Sequence, residues 1–241
     1  MLNRNIVLLA MLLCVSGWDS GRAEEVKLTV SNPGDFGKSV SVSGTRVLVG
    51  DHSADGHGAA YVFEHNGTSW SQVAKLTASD AASSDYFGRS VSLDGDRAVI
   101  GAPYDDDAAS NSGSAYVFEY NGTSWVQTVK LTASDAGGSE YFGASVSVSG
   151  DRIVVGAWRD TTNSDYTGSA YVFDYNGSSW TQTAKLLASD RQKYDYFGYA
   201  VSVSGDRALI GAYAEDAKGS SSGAAYIFDY DGSSWNQSVK L

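Results

Sequence analysis

Apolar and polar residues alternate along Ser90-Val91-Ser92-Leu93 and again along Ser145-Val146-Ser147-Val148. A two-residue period is that of a β-strand with one buried face. Asp94-Gly95-Asp96 follows the first stretch and predicts a tight turn, with glycine supplying positive φ. Arg97-Ala98-Val99-Ile100 is then apolar on both faces, as expected of a strand covered on both sides. Ala115-Tyr116-Val117-Phe118-Glu119-Tyr120 predicts a third strand, and Asn121-Gly122 a hairpin. A fourth strand is expected from about Ser124 to Ala133, with Trp125 near its start and Lys130-Leu131 near its end.

This four-strand pattern recurs. Phe-Gly occurs at Phe36, Phe87, Phe142 and Phe197, and a glycine stands fourteen residues after each, at Gly50, Gly101, Gly156 and Gly211. Tyr61, Tyr116, Tyr171 and Tyr226 are spaced 55 apart, and Trp70, Trp125, Trp180 and Trp235 keep the same step. A phosphate-binding loop needs its glycines once, between a strand and a helix. Four copies with no helical periodicity after them exclude that reading. Four-stranded units of this length instead predict an all-β fold, a β-propeller built from four-stranded blades.

Two motifs in register carry a resemblance. Phe87-Gly88 followed by Gly101-Ala102-Pro103 resembles the FG-GAP repeat of the integrin α-chain propeller. Repeats three and four keep Gly-Ala but place Trp158 and Tyr213 at the proline position, and repeat one has Gly50-Asp51. The resemblance implies a propeller domain over 24–241, with repeats at about 36–80, 87–135, 142–190 and 197–241, and no catalysis of its own. Integrin-type propellers have seven blades, so these four units are expected to be part of such a ring, to close by themselves, or to close between chains. An open stack would expose apolar sheet faces and favour self-association. Lys27-Leu28 looks like the tail of a fourth strand without its own blade. Leu241 falls where the pattern elsewhere runs on to Ala-Ser-Asp, which is read as truncation.

Composition narrows the setting. A short apolar run at 6–15 after Arg4, with Gly21 and Ala23 ahead of the fold, reads as a secretory signal peptide over 1–23, cut after Ala23. The only cysteine, Cys14, lies inside it, so packing alone must hold the mature chain together. The formal charge is −11, and losing Arg4, Arg22 and Asp19 makes it −12. An acidic surface repels phosphate backbones and argues against nucleic acid as a partner. No membrane span is expected in the mature chain.

Candidate chemistry lies in two sets of loops expected on one face. The loops after the fourth strand carry Asp80 and Asp85, Asp135 and Glu140, and Asp190 and Asp195. Those between strands two and three carry Asp105, Asp106 and Asp107, then Asp160, then Glu215 and Asp216. Carboxylates from both sets can meet around a cation, so calcium is a candidate ligand although no cofactor is required. The integrin-type calcium loop is missing, because the connection between strands one and two is only Ser-Gly-Thr or Gly-Asp-Arg. The strand two–three loops vary most between repeats and carry Tyr104, Trp158 and Tyr213, which nominates them as a face for an extracellular protein or glycan. His52, His57 and His65 all fall in repeat one and read as loop residues, and the recurring tryptophans as packing. Asn66, Asn121 and Asn176 form sequons, but Asp231 at the same place keeps the turn and loses the glycan acceptor. The expectation is a secreted or cell-surface binding module for recognition or adhesion. The alternatives are an accessory propeller of a larger hydrolase and a structural spacer.

Overall fold

The computed structural model describes residues 25–31, 33–161 and 165–241. The expected signal peptide, with Cys14, lies outside the described residues. Sixteen strands form four sheets. The first holds β1 (Ser39–Ser43), β2 (Arg46–Asp51), β3 (Ala59–His65) and β4 (Trp70–Leu76). The second holds β5 (Ser90–Asp94), β6 (Arg97–Ala102), β7 (Ser114–Tyr120) and β8 (Trp125–Leu131). The third holds β9 (Ser145–Ser149), β10 (Arg152–Ala157), β11 (Ser169–Tyr175) and β12 (Trp180–Leu186). The fourth holds β13 (Phe197–Ser204), β14 (Arg207–Ala212), β15 (Ala224–Tyr230) and β16 (Trp235–Lys240). Each sheet is an antiparallel meander in chain order, which is the blade expected from the pattern. Gly95 turns β5 into β6 at φ 57°, and Gly122 turns β7 into β8 at φ 91°.

Successive sheets pack face to face through β1, β5, β9 and β13. The doubly apolar second strands explain how. Ala98 and Ile100 of β6 face the first sheet's Leu48, Ala60 and Val62, while Val99 faces the third sheet's Ile153 and Val155. Phe142 of the Phe-Gly pair is fully buried, with its ring edge-on to Tyr171 at 5.4 Å and to Phe173 at 5.9 Å. Burying a side chain of this size contributes roughly 1.5–3 kcal/mol.

Gly101 shows why this pattern demands glycine. A Cβ there would stand 1.9 Å from the carbonyl oxygen of Gly143 in the next sheet. The Ser90 hydroxyl donates to that same oxygen at 2.8 Å. Backbones of neighbouring sheets therefore touch where the two glycines of the motif meet.

The opposite end of each junction is closed by arginine. Arg152 donates to Asp174 at 2.7 Å in its own sheet and to Asp206 at 2.7 Å in the next. Its guanidinium also lies over the rings of Tyr230 and Trp235. The recurring tryptophans Trp70, Trp125, Trp180 and Trp235 all pack against these sheet clusters.

Among the described residues no strand pairing joins the fourth sheet to the first. The first sheet's outer face is partly covered by Leu28 and Val30, which pack with Val47 and Val49. Buried Asp51 anchors this segment by accepting the amide N–H groups of Gly34 and Asp35, at 2.9 and 2.7 Å.

Candidate functional site

The loops between second and third strands and those between blades emerge on one face. Parallel bridges join them, pairing Gly58 with Phe87, Gly113 with Phe142 and Gly168 with Phe197. The two-residue hairpins lie at the other end of the sheets.

On this face carboxylates of the two loop sets meet, and each pair closes on a lysine. Lys130 at the end of β8 donates to Asp80 at 2.7 Å, to Asp105 at 2.8 Å and to Asp107. Lys185 of β12 lies 2.6 Å from both Asp135 and Asp160. Lys240 of β16 bridges Asp190 at 2.5 Å and Glu215 at 2.8 Å. A tyrosine from each third strand completes the cluster. Tyr116 donates to Asp105 at 2.7 Å, Tyr171 to Asp160 at 2.7 Å and Tyr226 to Asp190 at 3.0 Å.

The titrations follow from this packing. Burial works against the charge on Lys130, yet its bonds to Asp105, Asp107 and Asp80 raise its pKa overall. Burial pushes Asp160 upward, but Lys185, Ser169 and Tyr171 outweigh it and hold the carboxyl at about 2. Burial, reinforced by the Asp190 carboxylate, raises Tyr226 to about 12.

Asp80, Asp105 and Asp107 lie close enough to share a metal ion, with ligand oxygens within 4.8 Å of one another. The Lys130 ammonium donates to all three, so as they stand these carboxylates fit an ammonium group rather than calcium. The connection between β1 and β2 is two residues, too short for a calcium loop of its own.

The remaining acidic candidates do other work. Asp85, Glu140 and Asp195 are buried. Each accepts a backbone N–H three residues earlier, from Ala82 at 2.8 Å, Gly137 at 2.8 Å and Gln192 at 2.6 Å. Burial raises all three pKa values, with repulsion from neighbouring carboxylates added. Asp106 is exposed and caps the Asn111 amide at 2.6 Å. Asp216 is exposed, and its carbonyl accepts from Gly219 at 3.0 Å.

The three aromatic candidates belong to one continuous row. Tyr86 packs on Tyr104 at 4.7 Å, Tyr104 on Tyr141 at 4.9 Å, and Tyr141 stacks on Trp158 at 5.5 Å. Trp158 meets Tyr196 at 5.1 Å, and Tyr213 meets Tyr196 at 5.5 Å and Tyr199 at 4.4 Å. His52 extends the row into the first blade, 5.1 Å from Tyr86, and burial lowers its pKa. Tyr104 and Trp158 are half-buried and Tyr213 is exposed. Sequence reasoning missed Tyr86, Tyr141 and Tyr196, each of which stands directly before a Phe-Gly pair. That recurrence was the available signal. Their backbones are left-handed, with φ of 59°, 58° and 57°, a conformation that bulky residues rarely take.

His57 and His65 do not join His52. His57 contacts the Gly58 carbonyl, and His65 lies against Trp70 at the hairpin end. Asn121 turns its side-chain oxygen onto the amides of Thr123 and Ser124, and Asp231 does the same for Ser233 and Ser234. The turn role is therefore shared by the sequon and non-sequon copies.

A family model for the FG-GAP repeat matches residues 23–63, 70–118, 125–173 and 180–228. The chain belongs to the FG-GAP repeat family, a non-catalytic class of repeat module. No curated protein matches the chain. The matched units are offset from the sheets by one strand, since 70–118 runs from β4 through β7. Among the described residues no helix is long and apolar enough to cross a membrane.

Proposed function

We propose that the chain is a secreted or surface-exposed recognition module whose loop face binds an extracellular protein or glycan. The observation that carries this reading is the aromatic row. It runs from His52 to Tyr213 over all four blades and ends in exposed tyrosines, Tyr199 at 48% and Tyr213 at 50%. Tyrosine and tryptophan are the residues that most often anchor binding surfaces, because they offer large rigid faces with a polar tip. The row lies on variable loops carried by rigid sheets, where recognition is usually found. Tyr104 and Trp158 form its centre and Tyr213 its exposed end, and Asp106, Asp107 and Asp216 its polar rim. Asp105, Asp160 and Glu215 act from below by fixing the loops through their lysines.

The test is binding to arrays of glycans and extracellular proteins, followed by titration of any ligand found. Trp158→Ala with Tyr213→Ala should weaken that binding while circular dichroism shows an intact sheet fold. Unchanged affinity in the folded double variant would overturn the assignment of the face.

A further inference from the structure

The junction between the third and fourth blades departs from the repeat in one direction. Where repeats one and two have Ala81-Ala82-Ser83 and Ala136-Gly137-Gly138, this junction has Arg191-Gln192-Lys193. The next residue is Tyr194, at φ 68°, where the other junctions place Ser84 and Ser139, also at positive φ. Tyr166, at φ 48°, stands where repeat two has Asn111 and repeat four Ser221. Small polar residues take left-handed backbone more readily than tyrosine, so two tyrosines there, in addition to the Tyr196 that every junction matches, oppose local preference. The rings stack on each other at 5.9 Å, and Tyr194 continues to Tyr196 at 6.2 Å. Arg159 lies 4.5 Å over Tyr166 and also reaches Tyr141 and Trp158. Lys193 lies over Tyr194 and beside Asp165 at 3.4 Å. Arg191, Lys193 and Tyr194 are exposed. Two cations, Arg159 and Lys193, thus lie over a lane of hydroxyl-tipped rings, and exposed Arg191 stands two residues before Lys193, on a chain whose net charge is −11.

From this juxtaposition we infer that the junction of the third and fourth blades is a subsite for an anionic glycan, bearing carboxylates or sulfates. Exposed Tyr194 packs against the C–H face of a sugar with Tyr166 and Tyr196 supporting it from behind, and Arg191, Lys193 and Arg159 pair with acidic groups of the ligand. Stacking supplies contact area at low entropic cost, and guanidinium pairs two N–H groups with two oxygens of a carboxylate or a tetrahedral oxyanion. The rings carry hydroxyl tips that suit the hydroxyl groups of a polyol. The inference rests on the recognition role proposed above and names its ligand class.

The experiment uses calorimetry with a galacturonic acid hexamer, its carboxyl-reduced counterpart, the same counterpart after sulfation, and a glutamate-rich peptide. Binding of the acidic hexamer, the sulfated one or both, at least about tenfold tighter than the neutral one, is expected, and it identifies the anion. Two variants restore residues the repeat itself uses, so folding is preserved. Arg191→Ala with Lys193→Ser should weaken acidic binding about tenfold and flatten its salt dependence. Tyr166→Asn with Tyr194→Ser should weaken it comparably. Equal binding of neutral and acidic hexamers, or variants that bind like the parent, would overturn the subsite. Equal binding of the peptide would overturn the glycan class. A protein ligand lost in the Trp158/Tyr213 variant, with no glycan bound, would overturn this inference and leave the recognition face standing.

Discussion

Lys185→Met tests the buried clusters that set the loop face. Lys185 holds Asp135 and Asp160 at 2.6 Å each, and the Asp160 side chain is 3% exposed. The fall of Asp160 from 3.8 to about 2 corresponds to roughly 2 kcal/mol in favour of the fold at neutral pH. Methionine keeps the apolar stem and removes the charge, leaving a buried carboxylate without its cation. Breaking such a pair from one side costs about 3–5 kcal/mol. Asp160→Asn made in the same chain removes the stranded charge and should recover much of that loss.

The pH dependence has a definite sign. Because the folded pKa of Asp160 is depressed, its contribution is complete above the unfolded value of 3.8. It is lost as pH falls through about 2. In Lys185→Met the same carboxyl is driven upward by burial, so the deficit is largest at pH 7 and shrinks toward about pH 4. Urea unfolding followed by tryptophan fluorescence, on parent, both single variants and the double variant, measures both effects. Additivity within about 0.5 kcal/mol, or a deficit unchanged between the two pH values, would refute the reasoning.

Three further outcomes follow from the packing. Gly101→Ala should cost roughly 3 kcal/mol in a melting experiment, because its Cβ would meet the Gly143 oxygen at 1.9 Å. Gly211→Ala should be far milder, since its nearest neighbour is Ala200 Cβ at 3.6 Å; equal losses would refute the interblade contact. Glu140→Gln should raise the melting temperature at pH 7, because burial and the Asp160 charge disfavour its ionised form. Since that folded pKa is raised, the gain should fade as pH drops through it and the parent protonates; a lower melting temperature at pH 7 would contradict this. Val146→Thr in β9 should cost about 1–3 kcal/mol for burying a hydroxyl, and Val40→Thr in β1 close to nothing, as urea midpoints would show.

The blades were legible because their signals are local and repeated. Alternation, two-residue turns and Asn-Gly hairpins each specify a strand or its end, and each occurs in several copies. What encircles the carboxylates was not legible. Asp80 and Lys130 are 50 residues apart, and Lys130 reads in sequence as an ordinary strand end. Only the packing of one sheet on the next brings its ammonium between two loops. The tyrosines before each Phe-Gly pair were hidden differently, because pattern reading assigns them to a loop and does not reveal their left-handed backbone. Nor does separation along the chain show that Tyr141 and Trp158 stack while Tyr104 links Tyr86 to Tyr141.

β1 and β9 have the same sequence, Ser-Val-Ser-Val-Ser, in different surroundings. Val146 and Val148 are 8% and 7% exposed, whereas Val40 and Val42 are 46% and 56% exposed. Burial here is a property of the junction in front of a strand, not of the strand. The polar contacts obey the same logic. Ser145 donates across to Gly198, and Arg152 reaches across to Asp206; each repeat supplies one half of a contact that its neighbour completes. At the outer faces of the first and fourth sheets those halves have changed. Ala200 stands where Ser90 and Ser145 donate, Thr45 stands where Asp96, Asp151 and Asp206 accept, and Arg207 is left 66% exposed. Three of the four matched family segments, 70–118, 125–173 and 180–228, begin at a fourth strand and end in the next third strand, following the same unit. What the repeat encodes is therefore a junction. A junction that departs from its siblings at exposed positions, as the one carrying Arg191, Lys193 and Tyr194 does, departs for reasons that packing does not supply.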